Sequence, residues 1–362
     1  MRIRRPLLWL LGILIIVALV IFWGWDEVAS SLRNIHPLTL VGLAALQTFT
    51  LGLTAYQWHF LLKKLRATLP FAQVFGIHLA SQFVESITPS VKLGGEAAKI
   101  YLLRVATGLS HQALVGAMLT HKYLSLLPFV LLCGVVLVSV GRHVAMPAYS
   151  FAAFIALFVV FAGLTLLLRP RKPKSNDHAR PHAQTSPLPL ALPQKIGWYL
   201  RRIQRFLEDA LGYARVLTNA RERSGLLTIS LIIWVLYPVK VMIVTGMLGY
   251  PVGIQTVAFA TYTAYLVSMV PLSPGGLGSF EGVMALLLTL EGLTLPQGLA
   301  IALTTRLITF WFPLVLSAGA TGLMIGRTPS KEADAPLTSS YRFEAPSDAK
   351  APSSNSNGTE DR

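Results

Sequence analysis

Charge is scarce in this chain, and acid is scarcer than base. Only 13% of its 362 residues are charged, with 31 Lys and Arg against 16 Asp and Glu. So little charge excludes an ordinary soluble domain. Cysteine is almost absent. Cys133 stands alone in an apolar run, which excludes an internal disulfide and a cysteine zinc site and leaves a small packing residue. Also lacking are a nucleotide-binding loop, a His/Cys metal spacing and a nucleophile elbow, so no cofactor or metal is expected. Gly94-Gly95-Glu96 is no phosphate loop, because Gly-Lys-Ser/Thr does not follow. Asp26 and Glu27 are the only carboxylates expected near an outer membrane face, which is thin equipment for a glycosyl transferase.

What is present is apolar sequence. The hydrophobic share is 53%, laid out in segments with basic residues between them. That is the pattern of an all-α, polytopic integral membrane protein. The net charge of +15 therefore points to anionic inner-leaflet headgroups as partners, not to nucleic acid.

Taken in order, Arg2, Arg4 and Arg5 precede an apolar run over 6–25, read as an uncleaved signal anchor with a cytoplasmic N-terminus. Further spans are expected at 38–62, 113–140, 147–168, 226–248 and 298–325. The loop 169–224 carries 12 Lys/Arg against 4 Asp/Glu, so it is expected on the cytoplasmic side. Its second part places Ile196, Tyr199, Leu200, Ile203, Phe206, Leu207, Leu211 and Ala214 on one helical side. Such a helix suits the surface of an anionic inner leaflet. Residues 327–362 are rich in Ser, Pro and Ala and read as a disordered tail, assigned no side by charge and placed in the cytoplasm by symmetry and Arg327.

Two stretches interrupt this plan. Thr88-Pro89 leads to Gly94-Gly95-Glu96, and Pro271 leads to Pro274-Gly275-Gly276-Leu277-Gly278 and Glu281. Proline removes a backbone donor and glycine permits a sharp turn. In lipid, such a break is tolerated only inside protein or beside a wet cavity. Each stretch is followed by a cation and then a proline within the next apolar segment. These are Lys122 and Pro128 in one case, Arg306 and Pro313 in the other. The spacings agree to about one residue, which reads as an internal repeat.

Charge parity decides how the breaks sit. If 71–104 crossed fully, the basic loop would land outside. If it enters and returns as a hairpin, the loop falls inside. The expectation is therefore about six full spans and two re-entrant broken-helix hairpins, 71–104 and 252–290. Each half reads span, span, hairpin, span, so the halves form an inverted repeat. The first repeat and the start of the second occupy 1–168, the basic loop 169–224, and the remainder of the second repeat 225–326.

Several polar residues fall within these apolar regions. An intramembrane Arg costs roughly 2.5–3.5 kcal/mol on insertion scales, so Arg306 needs a partner or a wet cavity. Two readings of the pairs Arg306–Glu281 and Lys122–Glu96 stand side by side. Either the cations hold a lipid headgroup while the carboxylates tune them, or each pair pins a hairpin to its neighbouring span. Lys240, beside Pro238, is either a third headgroup cation or a side chain that snorkels to the interface. His78, Gln82 and Glu85 share one helical face, either as a proton-linked site or as a hydrogen-bonding hairpin face. His121 is either a proton shuttle or an ordinary packed histidine. The Gly-Gly pairs either expose helix N-termini to an anion or let helices approach closely.

At these two Pro/Gly/Glu stretches the chain resembles the lysylphosphatidylglycerol synthase transmembrane region, also called the flippase-like or UPF0104 family. The resemblance covers about residues 5–326. It is similar there to the membrane domain of the multiple peptide resistance factors, which moves aminoacylated phosphatidylglycerol between leaflets. A separate soluble domain of those proteins makes the lipid, and nothing in this sequence resembles that domain. The resemblance thus implies translocation of an anionic, aminoacylated or polyprenyl-linked lipid across a bacterial inner membrane, and no enzyme activity. The alternatives are a membrane partner for a separate lipid-synthesising enzyme, or a lipid-linked transferase.

Overall fold

The computed structural model describes residues 36–88, 93–141, 163, 194–270 and 273–327. The expected span 6–25, all of 147–168 but residue 163, the tail beyond Arg327, and Pro89 and Pro271 lie outside the described residues. Every regular element within them is helical.

Helix α1 spans Pro37–Lys64. His36 caps it: the Leu38 N–H donates to His36 Nδ1, and Pro37 occupies the first turn, where no N–H is needed. Helices α2 (Phe71–Ile87) and α3 (Leu93–Thr107) follow, then α4 (His111–Gly141). Helix α5 (Gln194–Val216) ends just before α6 (Ala220–Met247). A reciprocal capping box starts α6. Glu222 N–H donates to Asn219 Oδ1 at 2.9 Å, and Asn219 N–H donates to Glu222 Oε2 at 3.1 Å. Glu222 also receives Lys64, which ties the end of α1 to the start of α6.

Helix α7 (Ile254–Ser268) is followed by a single 3-10 turn, Pro274–Gly276, and by α8 (Ser279–Leu288). The last long element comprises α9 (Leu295–Arg306), a π turn over Leu307–Trp311 and α10 (Phe312–Arg327). Pro313 has no N–H to give this ladder, and a π turn is the usual way a helix absorbs one extra residue.

Among the described residues, four segments are long and apolar enough to cross a membrane: Pro37–Lys64, His111–Val140, Ala220–Met247 and Leu295–Met324. These coincide with four of the six spans expected from sequence. The intervening helices are shorter. At 17, 15, 15 and 10 residues, α2, α3, α7 and α8 all fall below the roughly 20 residues that a full crossing needs.

Helices α2 and α3 pack against each other, and so do α7 and α8. Each first arm also packs on the last long element of the other half, α2 on α10 and α7 on α4. The early spans α1 and α6 meet each other. Two cores result. Trp58, Leu61, Val74, Leu103 and Leu114 fill one, and Val244, Ala260, Phe280, Met284 and Ile301 fill the other. Between them Phe129, Trp234 and Tyr262 pack together, and Trp234 Nε1 donates to the Ser125 carbonyl at 2.7 Å.

Glycine makes three of these crossings close. A Cβ on Gly95 would lie 2.8 Å from the Ser81 carbonyl oxygen, one on Gly116 2.7 Å from that of Ala210, and one on Gly298 2.6 Å from that of Ala285. Small residues permit this approach where helices associate by packing and not by the hydrophobic effect.

The Gly116 contact adds to the picture of α5. The sequence suggests a helix suited to an anionic inner leaflet. In the structure its C-terminal half docks on α4, burying Ala210, Ala214 and, just past its end, Leu217. Leu207, Tyr213 and Val216 remain exposed. Gly116→Leu is expected to displace α5 from α4. Limited proteolysis would then cut within 194–216 faster than in the wild-type protein, with no change at the 64–71 connection.

Candidate functional site

The second break is built around Glu281. Gly275, Gly276 and Gly278 have φ values of 62°, 69° and 82°, the left-handed region open to glycine at little cost. This turns the chain from α7 into α8 and points the first turn of α8 inward. Glu281 is fully buried there. Its Oε2 accepts from the Gly278 N–H at 2.7 Å. Its Oε1 accepts from Arg306 Nε at 2.9 Å. Arg306 also donates through one Nη to the Gly275 carbonyl at 2.5 Å. The rings of Phe280 and Phe310 flank the guanidinium, with centroids 4.5 and 5.0 Å from its carbon. A guanidinium has five N–H donors, so two commitments leave donors to spare.

The first break has a matching pair. Lys122 Nζ lies 2.7 Å from Glu96 Oε1. Lys122 is the twelfth residue of α4 and Arg306 the twelfth of α9, while Glu96 and Glu281 both lie in the first turn of a second hairpin arm. Local chemistry differs, however. Gly94 and Gly95 lie inside the first turn of α3 and have no positive φ. The two Gly-Gly pairs therefore do different work. Gly95 provides close packing against α2, whereas Gly275 and Gly276 make the turn itself. Nor is the N-terminus of α8 open to an outside anion at Gly278, because Glu281 already accepts its N–H.

A cavity of about 130 Å³ lies where the two hairpins meet. Gln82, Glu85, Ser86 and Thr88 line it from the first hairpin, and Ser268, Ser273, Gly275 and Gly276 from the second. Arg306, Thr309 and Phe310 close it from the last span, and Tyr237 from α6. Arg306 and Glu85 thus face one chamber. Lys122 does not line it, and neither does Lys240.

Lys240 is 1% exposed and sits between α1 and α6. Its ammonium donates to Gln47 Oε1 at 2.5 Å and Thr50 Oγ1 at 3.0 Å, and lies 4.5 Å from the Tyr237 ring centroid. This is neither of the two sequence readings. The ammonium is held at the seam between the two early spans, one layer behind the cavity wall. Gln47→Leu removes the acceptor and leaves a buried charge short of one partner. It is expected to cost about 1–3 kcal/mol of stability, measurable by unfolding in detergent.

Sequence reasoning missed Lys99. It is 4% exposed, lies 3.6 Å from Glu96 Oε1 and stands 5.1 Å from the Trp58 ring centroid. Its i,i+3 spacing from Glu96 was the available signal. Gln47 and Thr50 gave none, since they meet Lys240 across about 190 residues of chain.

Residues 9–317 match the family described as the lysylphosphatidylglycerol synthase TM region. The chain belongs to this family. Its curated relatives in the family include UPF0104 membrane proteins from three archaea. One from Methanothermobacter thermautotrophicus is 22% identical over 338 residues, covering 88% of this chain and 95% of the relative. One from Pyrococcus horikoshii is 22% identical, covering 86% and 95%. One from Methanocaldococcus jannaschii is 21% identical, covering 86% and 93%. With the four apolar spans, membership in this family makes the chain a membrane protein. The matched region takes in both breaks and stops within α10, so both pairs, Glu96–Lys122 and Glu281–Arg306, lie inside the family region.

Proposed function

We propose that this chain moves an anionic lipid between membrane leaflets. The observation that carries the reading is the chamber between the hairpins, which places the guanidinium of Arg306 among hydroxyls, amides and the Glu85 carboxylate at the meeting of two broken helices. A phosphate-bearing headgroup fits such a lining, with Arg306 as its cation. The acyl tails stay in the bilayer.

The packing pattern supports an inverted repeat as the moving frame. Each hairpin's first arm rests on the other half's last span, and α1 and α6 meet at the centre. The π turn supports it as well. Lys122 and Pro128 are six apart, Arg306 and Pro313 seven, and the wider turn at Leu307–Trp311 takes up the extra residue. With six spans and two hairpins, rocking one repeat against the other would open the chamber to one leaflet at a time. The membrane we assign is the plasma membrane, with the 169–224 loop on the cytoplasmic side.

The test is leaflet exchange of labelled phosphatidylglycerol in liposomes carrying the purified protein. Arg306→Ala removes charge-assisted hydrogen bonds of about 1.5–3 kcal/mol each. Exchange is expected to fall about tenfold to a hundredfold. Protein that is folded yet exchanges no lipid class would turn the assignment toward a membrane partner of a lipid-synthesising enzyme. Appearance of a lipid of new mass would turn it toward a transferase.

A further inference from the structure

The first half of the molecule holds a buried ionisable cluster that the chamber does not use. His78 from α2 is 5% exposed, Glu96 and Lys99 from α3 are 5% and 4%, and His121 from α4 is 6%. Both ring nitrogens of His78, both of His121 and Glu96 Oε2 have no protein hydrogen-bond partner among the described residues. Helix α1 contributes the Trp58 ring, centred 5.3 Å from that of His121. The charges within electrostatic reach of both histidines are Lys99 and Glu96 from α3 and Lys122 from α4. The histidines lie within such reach of each other, and Glu85 within reach of Lys99.

Buried polar atoms are normally paired, and four unpaired ring nitrogens in one place call for an explanation. The fold does not require them. In the matching half, Glu281 has both oxygens satisfied, and the third residue after it is Met284 where Lys99 follows Glu96. The residue before Arg306 is Thr305 where His121 precedes Lys122. The eighth residue of α7 is Thr261 where the eighth of α2 is His78. One hairpin is thus anchored without any imidazole, while the other carries His78 and packs beside His121 of α4.

We propose that the His78–His121 cluster is a proton-binding site, and that its occupancy is coupled to movement of the first hairpin. Histidine is the side chain whose charge ordinarily changes near neutral pH. An imidazolium here would face the ammonium groups of Lys99 and Lys122. It is accommodated when α3 draws back from α4 and Glu96 exchanges Lys122 for the new cation. The coupling reaches the lipid chamber through Glu85, whose Cβ lies against Gly95 of α3 and whose carboxylate lines the cavity. This deepens the translocase reading by supplying a coupling ion, and the coupling to lipid rests on that reading. The proton site itself does not.

Two measurements separate them. In the first, the full chain in phosphatidylethanolamine/phosphatidylglycerol nanodiscs is titrated from pH 8 to pH 5 while tryptophan emission is followed. Protonated imidazole quenches a neighbouring indole, so the difference between wild type and Trp58→Phe isolates Trp58. A one-proton quench with its midpoint within about pH 5–8 is expected. It should disappear in His121→Gln. A flat Trp58 signal in folded wild-type protein would overturn the proposal, as would a quench that persists in folded His121→Gln. In the second, liposomes of the same lipids hold a gradient of one pH unit. One proton carried per lipid biases the final leaflet distribution by up to about tenfold. The bias should vanish in His78→Gln/His121→Gln. Exchange in wild type that ignores the gradient overturns the coupling. A normal Trp58 titration without any lipid exchange upholds the proton site and instead defeats the translocase reading.

Discussion

Glu281→Ala is expected to be among the most destabilising single substitutions in this chain. Its carboxylate makes two buried contacts at once, to Arg306 Nε and to the Gly278 N–H. Removing one member of a buried pair leaves the other charge uncompensated, which costs about 3–5 kcal/mol. Thermal unfolding in detergent or nanodiscs would show it as a large fall in midpoint. Glu281→Gln is the informative companion. It keeps the size and one carbonyl oxygen but cannot neutralise Arg306, so most of the loss should remain. The double change Glu281→Gln/Arg306→Met removes both charges, and a buried pair replaced by neutral groups is often tolerated. Stability should return toward wild type in the double variant, while lipid exchange should not. If the double variant exchanges lipid normally, the pair is a structural pin only and the headgroup lies elsewhere.

The same pair shows what the sequence made legible. A carboxylate just after a Pro/Gly break and a cation some 25 residues later, both in apolar surroundings, have few other partners to choose from, so Glu281–Arg306 and Glu96–Lys122 could be anticipated. The positions of the four described spans were legible because 20-residue apolar runs are a strong signal. The chamber was legible only as a meeting of hairpins, and its lining by Tyr237 and Thr309 was not. Those residues sit on spans with no polar periodicity. The placement of Lys240 was opaque for another reason. Its partners lie on α1, and nothing local distinguishes a lysine clamped by Gln47 and Thr50 from one that snorkels. The docking of α5 was hidden because an apolar helix face reads the same whether it meets lipid or α4. The histidine cluster was half legible. His78 and His121 were visible as polar residues in apolar helices, but Lys99 and the Trp58 ring join them only in three dimensions.

The second large effect is expected at the turn itself. Gly275 and Gly276 both have positive φ, which costs a residue with a side chain about 1–3 kcal/mol when it is forced there. Space is lacking as well. A Cβ on Gly276 would lie 2.5 Å from Ser268 Cβ and 3.0 Å from the Ser268 backbone, and backbone cannot swing aside. Overpacking adds about 1–3 kcal/mol. Gly276→Val, branched at Cβ and so worse still at positive φ, should lose folded protein altogether or nearly so. Gly275→Ala separates the functional part. Its Cβ would lie 2.2 Å from Phe310 Cε2, so the ring has to move. That ring flanks Arg306, and the Gly275 carbonyl accepts from Arg306. Displacing it loosens the guanidinium on two sides at once, and exchange should fall further than stability does. Gly52→Ala in α1 is the control, since nothing stands within 4 Å of the added methyl. It should match wild type or gain roughly 0.5–1 kcal/mol. Equal losses at Gly52 and Gly275 would mean that this membrane fold resents any added methyl. Loss confined to Gly275 and Gly276 would place the sensitivity at the break that seats Glu281 against Arg306 at the chamber wall.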